Sequence, residues 1–169
     1  MLNLLASNQY NNLTFKSSEN CFFLNKEPKH LGEIALNLQS LKTGWAHFAI
    51  GMAPDFVWDE ELGKPARQPS DDYKRAFSIM AIDPKDGKME WNGAGYGSCA
   101  ALEDIFTETS KDKNANTGMF VILRYLGSEA KKIGKGNTRI PKFELIGWAD
   151  PDDLPWTRVE NASLEDIPF

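Results

Sequence analysis

Eight cations crowd the stretch from Lys111 to Lys142: Lys111, Lys113, Arg124, Lys131, Lys132, Lys135, Arg139 and Lys142, opposed only by Asp112 and Glu129. The last twenty residues invert that balance, setting Asp150, Asp152, Asp153, Glu160, Glu165 and Asp166 against Arg158 alone. A chain of net charge −5 can therefore still present one strongly positive surface, and it is the local field that captures a polyanion. Neutralising phosphates is the chemistry such a surface offers. Lys131, Lys132 and Lys135 lie in "EAKKIGKGNT", with Arg139 just beyond it. The glycines there permit a bend and close approach to a backbone, so a flexible basic arm able to close over a groove is expected.

Holding a single strand without regard to sequence needs a second feature, flat aromatic faces on which bases stack. Strand-like alternation puts Trp45 on one face with His47, Tyr73 with Arg75 and Phe77, and Trp148 with Lys142. Trp91 and Tyr96 flank a Gly-rich turn, while Arg124 and Tyr125 point to opposite faces. Trp45, Tyr73, Phe77, Trp91, Tyr96 and Trp148, together with Arg75, Arg124, Lys131, Lys132, Lys135, Arg139 and Lys142, form the expected single-strand contact set. Duplex DNA is a poorer target. The one good helix is acidic at its centre, Glu103 and Asp104, and no helix carries a row of Arg, Asn and Gln for a major groove. RNA and DNA are not separated by these signals.

The elements that must position these groups are mostly strands. "CFFL" from Cys21, "IALNL" from Ile34, "TGWAHFAIG" from Thr43 and "YKRAFSIMAI" from Tyr73 read as strands, and "DPKDG" turns the last of these into a hairpin with "KMEW". The polar excursion "DEELGKPARQPSDD" reads as a long surface loop. A helix is expected over Ser98 to Thr109, capped by Ser98, with an apolar stripe of Leu102, Ile105 and Phe106. Strong strands follow from Met119 and from Arg139. One helix among six to eight strands predicts a mainly β chain: an OB-fold-like five-stranded barrel with extra strands or hairpins and one α-helix. A two-sheet sandwich is the alternative. Residues 1–150 are expected to form this domain, and residues 151–169 a short acidic tail.

The segment "SLEDIPF" resembles the C-terminal tip of the bacterial single-stranded DNA-binding proteins, which finish in an acidic run followed by Ile-Pro-Phe. The resemblance covers Glu165, Asp166, Ile167, Pro168 and Phe169. It implies a partner-docking element that recruits replication, recombination and repair enzymes and can compete with DNA for the groove. The physical parts are present: a terminal carboxylate and ring for a basic-rimmed apolar pocket, a stiffening proline, and acids that speed encounter. The N-terminal strand motif and the Gly/Gln/Pro-rich linker of the bacterial proteins are missing. The body is more similar to diverged, phage-encoded single-stranded DNA-binding proteins, which keep an OB-fold and an acidic end. That resemblance implies a protein that coats single strands in replication or recombination, in the cytoplasm of a bacterial host. An adaptor or inhibitor that mimics the host tail without binding DNA is the alternative.

Other classes have less behind them. "NGAGYGSC" resembles a phosphate-binding turn but lacks the Lys-Ser/Thr of a P-loop and the dinucleotide spacing. Cys99 and Ser98 have no His partner at a diagnostic spacing, so no enzyme is expected. Two cysteines and two histidines make no disulfide framework or metal cluster, which fits a reducing cytosol and implies no cofactor. No apolar run is long enough to cross a membrane. Oligomeric state is open, a homo-oligomer included.

Overall fold

A computed structural model describes residues 11–115 and 117–156. The expected tail tip, Glu165 to Phe169, lies outside the described residues.

The central element is β4 (Glu33–His47), fifteen residues long and shared between two halves of one sheet. From the sequence, two strands are expected here, "IALNL" ending at Leu38 and "TGWAHFAIG" starting at Thr43. The backbone instead passes through a bulge there. Ser40 fills the broken ladder: its hydroxyl donates to Asn37 O at 2.7 Å and accepts from Met80 N at 2.8 Å. Before the bulge β4 lies between β6 (Lys74–Asp83) and β8 (Phe120–Ile133); beyond it, β6 stays but β5 (Asp55–Trp58) takes the other side. Changing neighbours along one strand curls the sheet.

β6 and β7 (Gly87–Ala94) form the expected hairpin, with Asp83 accepting from Asp86 N at 2.6 Å and Gly87 adopting φ 72°. β1 (Asn11–Lys16) then joins β7 in parallel and continues through β2 (Cys21–Leu24) and β3 (Glu27–Lys29). β8 and β9 (Gly136–Ala149) close the other flank. Among the described residues nine strands follow the order β3-β2-β1-β7-β6-β4-β8-β9, with β5 beside β4. The fold is mainly β, an OB-like, strongly curled half-barrel with extra strands and one helix. Its barrel strands are β4, β6, β7, β8 and β9, and helix α1 (Tyr96–Ser110) falls between the third and fourth of them.

No ladder joins β9 to β7. The gap is bridged by the turn after β1, where Ser17 Oγ accepts from Arg139 N at 2.8 Å and lies 3.3 Å from Thr138 Oγ1. Inside the curl, Phe22, Phe77, Ile79, Met89, Trp91 and Val121 meet Leu102 and Ile105 of α1. Each large apolar side chain buried this way contributes about 1.5–3 kcal/mol. Leu154 and Trp156 pack on a second cluster around Ala35 and Ile122.

Two local expectations change. Ser98 does not cap the helix: Gly95, at φ 84°, turns the chain out of β7, α1 starts at Tyr96, and Ser98 is buried in the first turn. The basic segment is not a loop but the far end of the β8–β9 ladder, paired without a break from Gly127↔Lys142 to Ile133↔Gly136. Gly134 (φ 57°) occupies the first position of its two-residue turn, where positive φ matches the twist of the strands.

Candidate nucleic-acid interface

In an OB-like barrel, the connections between strands one and two and between strands four and five flank the ligand face. Here the first is the arm from Phe48 to Tyr73, carrying β5, and the second is the β8–β9 hairpin. α1 lies between them. Gly97 lets α1 slide under the hairpin, since a Cβ there would fall 2.3 Å from Arg139 O.

A cavity of about 360 Å³ opens between β6 and the first turns of α1, lined in part by Thr43, Arg75, Phe77, Tyr96 and Cys99. Tyr96 is half exposed at its mouth, and Lys131 reaches from the hairpin to donate to the Tyr96 hydroxyl at 3.0 Å while lying 5.3 Å from the ring centroid. That hydrogen bond pushes the Lys131 pKa up, so the ammonium stays charged. Burial pushes the Cys99 thiol up to about 11, which leaves no thiolate nucleophile near neutral pH. On the β9 side, an open groove of about 680 Å³ is lined by Ser17, Ser18, Ala130, Asn137, Thr138 and Arg139. Its hydroxyls, amide and guanidinium are all groups that hold phosphate oxygens.

Within the arm, Asp59 is a hub. It accepts two bonds from Arg75, at 3.1 and 2.7 Å, and one each from Thr43 Oγ1 and Ala66 N at 2.7 Å. The Arg75 guanidinium, helped by the other donors, holds the Asp59 carboxyl down at about 2. Trp45 donates to Ala66 O at 2.7 Å and carries Arg75 5.1 Å from its ring centroid. Tyr73 leans on His47 and donates to Asp55, which raises its pKa.

No family model, curated protein or solved structure matches this chain.

The geometry of the interface sorts the expected residues. Phe77 and Trp91 are corrected outright: at 1% and 0% exposure they are core residues with no ring face for a base. Trp91 sits between Phe22, Phe77 and Phe143 because β7 turns that face into the curl. Trp148 is partly buried against the core. Arg75 spends its charge on Asp59, and one face of Trp45 is taken by Arg75. Arg124 is held between Glu33 and Glu144, and Lys142 between Asp104 and Glu129. By contrast, Lys131, Lys132, Lys135 and Arg139 have no carboxylate within ion-pair distance among the described residues. Arg139 is fixed through Ser128, donating to its hydroxyl at 2.6 Å and its carbonyl at 3.0 Å.

Cross-strand pairing places Lys131 with Thr138 on one face of the hairpin, and Lys132 with Asn137 and Arg139 with Ala130 on the other. The positive surface thus wraps the hairpin, with Lys135 at its tip. Sequence reasoning missed a further aromatic group on the opposite face of the arm. Phe56 and Trp58 stack at 5.0 Å with 3° between their planes, and Phe48 meets Phe56 edge-on at 6.1 Å. Gly44 makes room, since a Cβ there would lie 3.0 Å from the Trp58 ring. The signal was available in "DFVW", aromatic at i and i+2 after a proline. Among the described residues, no helix is long and apolar enough to cross a membrane, and no group of acids, His and Cys could hold a metal.

Proposed function

We propose that this protein binds single-stranded nucleic acid, DNA in the first instance, and coats it during replication or recombination, with its acidic tail recruiting partner enzymes. The observation that carries the reading is the β8–β9 hairpin. Four cations with no carboxylate partner among the described residues stand on a barrel connection suited to ligand binding, beside a cavity mouth that offers a half-exposed tyrosine. Phosphates follow the lysines and Arg139. A base stacks at Tyr96, whose ring is already oriented by Lys131. The cavity edged by Tyr96 accepts an unpaired base, whereas a duplex keeps its bases stacked inside. Titrating a fluorescent oligo-dT against its duplex tests this: the single strand should bind more tightly, and Tyr96→Ala should weaken it by about 1–3 kcal/mol. Equal affinity for the two forms overturns the reading. If a Lys131→Glu, Lys132→Glu, Lys135→Glu variant keeps full biological function, the tail-mimicking adaptor is the correct description instead.

A further inference from the structure

The arm presents a surface that the nucleic-acid reading does not use. Its turn, "FAIGMAP" from Phe48 to Pro54, contains no charged residue. Ile50 is fully exposed, Met52 73% exposed and Phe48 55% exposed. An apolar tip of this kind marks an interaction site. Acids flank it: Asp55 follows the turn, and the bond from Tyr73 to Asp55 brings the end of the "DD" pair, Asp71 and Asp72, to the same end of the arm. Across residues 48–73 there are six acids against Lys64 and Arg67; with Asp59 held by Arg75 and Glu61 by Lys64, Asp55, Glu60, Asp71 and Asp72 remain to form the rim. Such a rim repels phosphates, so the tip is ill suited to polynucleotide.

The hairpin is its complement. Residues 127–142 hold five bases against Glu129 alone. Apolar side chains are exposed there too, Ile133 at the tip and Leu126 at the base. Among the described residues no hydrogen bond or ion pair joins arm to hairpin within the chain, so each surface is left for another molecule.

We propose that the apolar-tipped, acidic arm of one copy docks on the basic hairpin of a second copy. The contact is made head to tail, not reciprocally, so the end copies keep a free arm and a free hairpin, and association continues beyond a dimer. Opposite rims speed the encounter, and burial of Ile50 and Met52 against Ile133 at the hairpin tip holds it.

Sedimentation velocity without nucleic acid tests the proposal, so its result is independent of the single-strand reading. From micromolar to near-millimolar protein at low salt, the average mass should rise past that of a dimer, and high salt should lower it. Ile50→Asp with Met52→Asp should remove association. Reversing the arm (Asp71→Lys, Asp72→Lys) or the hairpin (Lys132→Glu, Lys135→Glu) should each weaken it more than about tenfold. Mixing the two reversed proteins should restore it, because the new arm and new hairpin attract. All these positions are exposed, and circular dichroism confirms that each variant is folded. A wild-type protein that stays monomeric throughout overturns the proposal. So does association that survives the tip and charge variants, or reversed proteins that fail to rescue one another.

Discussion

Replacing Lys131, Lys132 and Lys135 together by Gln removes three of the hairpin's four cations that have no carboxylate partner among the described residues. Each phosphate contact on a single strand contributes about −0.7 to the slope of log affinity against log salt, so four contacts predict a slope of about −2.8. Between about 50 mM and about 200 mM salt the wild-type affinity should then fall about 50-fold. With Arg139 alone remaining, the slope should be about −0.7 and the loss about threefold. The necessary control is charge-neutral: Arg124→Gln with Glu144→Gln removes a cation that the structure shows already paired. Its slope should match that of the wild type. Fluorescence anisotropy of a labelled oligo-dT across a salt series reads both. A triple variant as salt-sensitive as the wild type, or a control as flat as the triple variant, refutes the assignment of phosphates to the hairpin.

Three further outcomes follow from the packing. Lys29→Met should cost about 3–5 kcal/mol in urea unfolding, because Asp83, only 5% exposed, and Asp86 lose the cation they share. Gly97→Ala should lower the melting temperature although alanine favours a helix by about 0.5–1 kcal/mol, since the new methyl meets the Arg139 carbonyl and overpacking costs about 1–3 kcal/mol; Gly147→Ala, with open space around it, should not lower it in the same way. Asp59, depressed to about 2 by Arg75, contributes stability that is present above the unfolded carboxyl pKa near 4 and is lost as pH falls through about 2. Its size is about 2 kcal/mol. Asp59→Asn should lower stability at neutral pH and flatten the acid limb of a pH-dependent unfolding series between those limits.

The β6–β7 hairpin was legible because two kinds of local signal agree there: alternation along "RAFSIMAI" and the turn chemistry of "DPKDG". The helix was legible for the same reason, apart from its first turn. The face of each strand was legible too, but not which face is core. β6 is covered on both sides, with Phe77 and Ser78 both buried, so Phe77 looked as available as Arg75. The ladder through "EAKKIGKGNT" carries no apolar alternation of its own. It forms because the strong strands on either side fix the register and Gly134 supplies the turn. Ion pairing was the least legible feature. Glu33 stands 91 residues from Arg124, and Asp104 stands 38 from Lys142, so only the fold could show which cations are already neutralised.

The change from flexible arm to continuous ladder alters the physics of the proposed site. A mobile lysine-rich loop must lose backbone entropy of about 1–2 kcal/mol per residue when it orders on a ligand. A hairpin already paired to its turn has met that cost during folding, and so its cations are preorganised at fixed spacing. Fixed spacing also has a geometric consequence, because Lys131 lies on one face and Lys132 with Arg139 on the other. A strand that contacts all of them must pass around the hairpin tip at Lys135 instead of lying in one straight cleft. The same lysines would receive the acidic arm of a neighbouring copy. Polynucleotide and arm then compete for one surface, and linkage requires each to weaken the other by the same factor. Under these two proposals, self-association and coating are opposed uses of a single hairpin, with the local supply of single strand setting which one prevails.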